Sequence, residues 1–188
     1  MSSLERYSTD HVRRLICSLN SIQFKDATGE VEYFGQKVVM MRRDAFTLIR
    51  DALTRALGGA SQIILGIAGH TVGKEEGKAL LKTKGARLPD FIQFAVEETN
   101  LGYGKVKIDD LDIESGTVSI SLSNSFEAEQ HIHTLNPTCA FTLGYLKGIF
   151  SALVGKDFEG KETECKSKGD PVCKFNLVTR PKTQESFD

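Results

Sequence analysis

The stretch Glu162-Thr-Glu-Cys165-Lys-Ser-Lys-Gly-Asp-Pro-Val-Cys173-Lys-Phe175 decides how the end of the chain folds. Gly169-Asp170-Pro171 is turn chemistry, so the strand-forming residues on either side pair as a hairpin and bring the two cysteine sulfurs together. Cys139 is the natural third thiolate. It follows Asn136-Pro137-Thr138, where Asn can cap a helix and Pro suits the first helical position, which predicts a helix from Pro137 to about Val154 with the sulfur in its first turn. The helix dipole there favours the thiolate, the form that binds metal. Three soft thiolates and one carboxylate or imidazole, here Glu162 as the candidate carboxylate, suit a tetrahedral zinc ion, and a site with all four positions filled by protein is structural rather than catalytic. Glu162 and Cys165 differ in parity along a strand, so a bulge or twist must turn one of them, and Glu164 competes for the carboxylate position. Two other readings of the cysteines stay open: small buried apolar residues, or a Cys165–Cys173 disulfide across the hairpin. Cys17 lies in the apolar stripe of an early helix and reads as core.

The run Glu-Cys-x3-Gly-Asp-x2-Cys-x-Phe, with a further Cys 26 residues before the first of the pair, resembles the 4-vinyl-reductase domain family. Such small ligand-binding domains also occur as the aromatic-effector sensors of bacterial transcription activators, and they are similar in fold to TRAPP vesicle-tethering subunits. The zinc ion of the aromatic sensors is held by Cys, Glu, Cys and Cys. Carried over position by position, that set falls on Cys139, Glu162, Cys165 and Cys173, with all three spacings matched. The resemblance covers about residues 30 to 180 and implies an apolar ligand pocket between helices and sheet.

Composition limits the alternatives. A chain of 188 residues buries roughly 70% of its unfolded surface as a single domain, so it needs no metal merely to compensate for small size. Lys and Arg total 24 against 25 acids, a net charge of -1, which is not the footprint of a protein that neutralises many phosphates. Direct nucleic-acid binding is therefore not expected. The N-terminal Met-Ser-Ser-Leu-Glu-Arg lacks the apolar core of a signal peptide, and no run approaches the roughly 18 apolar residues of a membrane span, so the expected setting is cytoplasmic.

Along the chain, residues 8 to 20 predict a short amphipathic helix through Val12, Leu15, Ile16 and Leu19. Residues 29 to 41 read as a strand or hairpin broken at Gly35. Asp44 to Leu57 is a helix with Phe46, Leu48, Ile49, Leu53 and Leu57 as its apolar side. A second helix runs from Ser61 to about Lys82, and a third starts at Pro89 and ends near Asn100. From Gly104 the period becomes two: Val106 and Ile108, then Val118, Ile120 and Leu122, alternate with polar residues as antiparallel strands with one wet face. The result is α+β, with helices on a twisted antiparallel sheet and a C-terminal zinc-binding hairpin. The organisation expected is a leader over residues 1–29, a ligand-binding domain over 30–180 and a polar tail over 181–188.

Gly66, Gly69, Gly73 and Gly77 within one helix cost roughly 1 kcal/mol each relative to Ala, so close helix packing or a ligand groove must offset them. Catalytic patterns are weak: His131 and His133, just before the Cys139 helix, could reach metal or substrate but read more simply as solvated loop residues, His70 lies within the glycine helix, and no nucleophile elbow or zinc-protease motif is present. The expected function is binding or sensing of a small apolar or aromatic molecule. Phe94, Val118, Phe141, Leu143 and Tyr145 are the candidate lining, and output would pass through a partner protein or ligand carriage. A homodimer built through helices is expected. The alternatives are a protein-interaction scaffold resembling the tethering subunits and, third, a tetrapyrrole-related reductase or accessory protein.

Overall fold

The structure is a computed structural model that describes residues 22–33, 36–82, 92, 96, 102–128 and 133–180. The leader helix, Cys17, Phe94, His131, the polar tail and most of the helix expected after Pro89 lie outside the described residues; Ile92 and Val96 from that helix are helical and buried. The chain divides into two units between Arg42 and Arg43.

In the first unit, β1 (Gln23–Lys25), β2 (Glu30–Tyr33) and β3 (Gln36–Val38) form an antiparallel sheet in that order. Lys25–Glu32 and Lys37–Glu30 ion pairs cross its strands. The hairpin expected around Gly35 is the β2–β3 pair, and the 29/30 division drawn from the sequence falls between β1 and β2, which pair with each other.

The second unit carries α1 (Arg43–Leu57), α2 (Ala60–Leu81), β4 (Lys105–Asp112), β5 (Thr117–Ser123), α3 (Ala140–Val154), β6 (Phe158–Glu164) and β7 (Cys173–Thr179). Its four strands form an antiparallel sheet in the order β4-β5-β7-β6. Val118, Ile120 and Leu122 pair with Leu177, Phe175 and Cys173, and all six are buried. Lys174 and Asn176 lie opposite Ser121 and Ser119 on the other face, the two-residue period read from the sequence. Leu146, Ile149 and Phe150 of α3 are fully buried, and the Phe150 ring lies 6.0 Å from that of Phe158 on β6. Helices against one face of an antiparallel sheet make the unit α+β.

The glycines of α2 are explained by α3. A Cβ at Gly69 or Gly73 would sit 2.0 or 2.1 Å from the carbonyl oxygens of Phe141 and Tyr145, and one at Gly77 would meet Ala152 Cβ at 2.7 Å. Gly144 and Gly148 answer from α3, where a Cβ would lie 2.1 Å from the carbonyls of Gly66 and His70. The two backbones touch, and only a face without side chains permits that approach. The spacing-four stripe is therefore a helix-packing surface.

Two helical details differ from expectation. The helix predicted from Pro137 begins at Ala140, with Cys139 at its N-cap. Asn136 is not needed as a cap because acids from other segments take the orphan amides: Cys139 N–H donates to Glu162 Oε2 at 3.0 Å, and the Phe141 and Thr142 amides donate to Glu127 at 3.1 and 2.7 Å. The second difference is α1, whose expected apolar side is largely outside. Leu48 is 63% exposed and Ile49 48%, whereas Thr47 and Arg50 are buried. The physical reason lies across from α1. Residues 124–128 present main-chain carbonyls that need donors, and Arg43 and Arg50 supply them, to Asn124 O at 2.7 Å and Glu127 O at 2.6 Å.

Candidate metal centre and the aromatic cluster beside it

Three segments converge on the cysteines: the start of α3 brings Cys139, the end of β6 brings Glu162 and Cys165, and the start of β7 brings Cys173. One donor atom from each of the four lies within 4.8 Å of all the others. The sulfurs are 3.6 Å (Cys139–Cys173), 3.9 Å (Cys139–Cys165) and 3.9 Å (Cys165–Cys173) apart, too far for a disulfide. Those separations match the edge of a tetrahedron with metal–sulfur bonds of about 2.3 Å, which is about 3.8 Å. Glu162 Oε1 is buried and has no hydrogen-bond partner. Buried polar atoms are almost always satisfied, so an orphaned carboxylate oxygen beside three sulfurs fits a cation. The four residues can hold a metal ion.

Local folding explains how the set assembles. The register of β6 against β7 shifts between Glu162 and Glu164, a bulge that resolves the parity conflict. Glu162 stays opposite Phe175 on the inner side, while Glu164 pairs with Lys174, whose ammonium lies 2.9 Å away. Gly169, with φ 103°, closes the connection, and Asp170 Oδ2 accepts from Cys165 N–H at 2.8 Å. Around the sulfurs stand donors that the sequence did not single out. Lys166 N–H donates to Cys173 Sγ at 3.4 Å, Ser167 Oγ lies 2.9 Å from Cys165 Sγ, and Ser125 Oγ lies 3.4 Å from Cys139 Sγ. Such outer contacts orient ligands and stabilise thiolates.

Without a cation the cluster cannot hold four negative charges. Hydrogen bonds from the Cys139 and Cys173 thiols hold Cys165 far below the ordinary cysteine value, and the hydrogen bonds of Cys139 to Cys165 and Cys173 push it far above. Burial pushes Glu162 up to about 8. Protons therefore occupy much of the site until a metal displaces them, so metal affinity rises with pH.

The first turn of α3 also borders a second cluster. Phe141 lies 5.2 Å from Phe46, 5.9 Å from Tyr103 and 6.1 Å from Phe126 by ring centroid, and Tyr145 lies 5.2 Å from Tyr103. Phe141 and Tyr145, both expected ligand-lining residues, are thus brought together. Leu143 is on another face of α3, where with Ile63, Gly66, Ile67, His70 and Lys147 it lines an open groove of about 380 Å³. Val118 is on the inner face of the sheet, opposite Leu177. Sequence reasoning missed the polar members of this region. Burial pushes Glu127 up to about 7 while it caps α3, and burial raises Glu76, hydrogen-bonded to Tyr145, to about 7 as well. Burial and the two acids raise Tyr103 to about 12. Each comes from a segment remote in sequence from its partners, and the only local signal was an acid interrupting apolar neighbours, as in Phe126-Glu127-Ala128.

The hairpin and the strands that support it decide the comparison with known proteins. Residues 118–179 match the 4-vinyl-reductase domain. The matched 4-vinyl-reductase segment runs from β5 to the end of β7 and contains all four candidate metal ligands, in line with the resemblance drawn from them. No curated protein matches the chain. Among solved structures, the phenol-responsive sensory domain of the transcription activator PoxR, with phenol, is 20% identical with a TM-score of 0.78, covering 98% of this chain and 94% of that one. A vinyl-4-reductase family protein from Methanocaldococcus jannaschii is 20% identical with a TM-score of 0.52, over 77% of this chain and 85% of that one. A trafficking protein particle complex subunit 3 from Naegleria fowleri, covalently bound to palmitic acid, is 12% identical with a TM-score of 0.56, over 76% and 98%. These likenesses establish a shared fold around the 4-vinyl-reductase segment. Among the described residues, no helix is long and apolar enough to cross a membrane.

Proposed function

We propose that this protein binds a small aromatic or apolar molecule, as a sensor or carrier domain whose C-terminal corner is fixed by a structural zinc ion. The observation that carries the reading is the position of the α3 first turn. Cys139, one of the four candidate ligands, is two residues from Phe141, which enters a cluster with Phe46, Tyr103 and Phe126. Zinc at the corner would hold that turn, and so the rings, in one arrangement. Three thiolates and a carboxylate leave no open coordination position, so the ion's contribution is structural. The fold match over nearly all of the phenol-responsive domain supports the ligand class.

Exposed Leu48, Ile49, Ile63, Ile64 and Ile67 on α1 and α2 support association with a second copy or a partner protein, through which a binding event would be read out. The same surface favours a second reading, an interaction scaffold of the kind suggested by the fold of the trafficking subunit.

Native mass spectrometry of the protein as purified, followed by calorimetric titration with phenol, toluene and ATP, separates the readings. The sensor or carrier reading expects a bound organic mass or heat on addition of an aromatic compound, and no response to ATP. A ligand-free assembly with no response to any aromatic or apolar compound would move the protein to the scaffold reading.

A further inference from the structure

The inward face of α1 carries more polar chemistry than packing requires. Arg50 is 3% exposed and Thr47 4% exposed, on the same side of the helix one turn apart. Their direction is fixed by neighbours: Arg50 Nη1 donates to Glu127 O at 2.6 Å, and Phe46 sets its ring 4.6 Å from Phe126 and 5.2 Å from Phe141. Both residues therefore face the turn at 126–128 and the beginning of α3. Arg50 Nη2 and Thr47 Oγ1 are buried there without a hydrogen-bond partner. Thr47 does not use its hydroxyl on the preceding helical turn, the usual resort of a helical threonine.

The groups near the guanidinium do not satisfy it. Asp51 Oδ1 lies 3.5 Å from Nε, but its side chain is 35% exposed and it serves the other edge of the fork. The Glu127 carboxylate is committed to the amides of Phe141 and Thr142, and burial pushes it up to about 7, so it offers less than a full charge near neutrality. A guanidinium is always charged and only donates, and a buried donor left without a partner is costly. What the face lacks is an acceptor, preferably anionic.

We propose that Arg50 and Thr47 form the polar end of the ligand site and that the ligand is an aromatic carboxylate. The inference rests on the small-molecule reading above and narrows its ligand class. A carboxylate only accepts and has two oxygens, one for the Arg50 Nη2 donors and one for the Thr47 hydroxyl, which has a proton to give. A neutral phenol could accept from Arg50 as well, but through one oxygen and without the charge that strengthens the bond. The ring of the ligand would lie against Phe46, Phe126 and Phe141.

Calorimetric titration of the metal-loaded full chain with benzoate, phenylacetate, benzyl alcohol and phenol tests this. Benzoate or phenylacetate should bind at least about tenfold more tightly than benzyl alcohol, the range expected for hydrogen bonds to a charged group. Arg50→Gln should remove that preference, weakening benzoate and phenylacetate at least about tenfold and benzyl alcohol by less at unchanged metal content, and Thr47→Val should weaken the carboxylates by a few-fold. Should Arg50→Gln fail to fold, the wild-type ranking and Thr47→Val still decide. Equal or tighter binding of phenol and benzyl alcohol overturns the proposal and leaves the small-molecule reading intact. An Arg50→Gln variant that weakens acids and alcohols alike also overturns it, by reducing Arg50 to a packing role. Absence of binding by all four probes together with toluene overturns both readings.

Discussion

The cysteine corner and the inward face of α1 are both buried and polar, but their unsatisfied atoms have opposite character. At the corner the surplus is acceptors: three sulfurs within 3.9 Å of one another and an orphaned carboxylate oxygen. Under α1 the surplus is donors: Arg50 Nη2 can only donate, and the Thr47 hydroxyl, which can also accept, has a proton to give. An acceptor surplus calls for a cation and a donor surplus for an anion or a carbonyl, so counting orphans by sign indicates what each site takes before any ligand is known. The first turn of α3 joins the two. Its amides are divided between Glu162 of the corner and Glu127 of the aromatic side.

The largest effect that can break this comparison is removal of a thiolate. Structural zinc in small folds supplies on the order of 10 kcal/mol of apparent binding energy, so Cys173→Ala should abolish metal binding and lower stability by about 3 kcal/mol or more. Cys17→Ala, outside the ligand set, is the control and should leave the metal bound. Melting curves that shift equally for the two variants would contradict the assignment.

Next in size is Gly73→Leu. A Cβ there would lie 2.1 Å from Tyr145 O, so the side chain must push α2 away from α3, at an overpacking cost of about 2–3 kcal/mol. Because α3 serves both regions, the variant should weaken aromatic ligand binding as well as stability. A variant as stable as the wild type in denaturant titration would mean that the helices do not touch along this stripe.

Glu76 sharpens the comparison through pH. Its carboxyl is raised by burial from 4.5 to about 7, so the folded protein keeps a proton that the unfolded chain has released. Its contribution is fully present below the unfolded value and is lost as pH rises through about 7. Between pH of about 5 and 7, Glu76→Gln should show a flatter fall in unfolding free energy than the wild type, at matched metal content. Parallel pH profiles would show that this carboxyl titrates normally.

The smallest expected effect belongs to Glu164. It faces outward to Lys174, an ion pair of partly exposed side chains 2.9 Å apart, so Glu164→Gln should change stability by no more than about 0.5 kcal/mol and leave metal in place. Glu162→Gln should lose the metal. Elemental analysis of the two variants side by side would overturn the ligand choice if the losses were reversed.

What could be read from the sequence follows the same division. The convergence of the three cysteines was legible because they lie on one hairpin and the helix before it, where spacing and turn chemistry imply it. The choice of Glu162 over Glu164 rests on the resemblance, and the bulge there is one of the two solutions, bulge or twist, that the parity of Glu162 and Cys165 required. The strands of the sheet were legible from alternation, as at Val118, Ile120 and Leu122. The inward face of α1 was not, because helical periodicity reports which residues are apolar, not which neighbour a helix meets. Arg50 is inside because a carbonyl of the turn at 126–128, 77 residues away, needs a donor. The start of α3 was misplaced for a related reason, since its caps, Glu127 and Glu162, belong to distant segments.

The most direct test of the account is the metal itself. Elemental analysis of the protein purified without added metal, combined with thiol titration under native conditions, should give one zinc per chain, with Cys139, Cys165 and Cys173 protected until a chelator is added. Less than about a third of a zinc per chain, with those three thiols freely reactive in the folded protein, would contradict it.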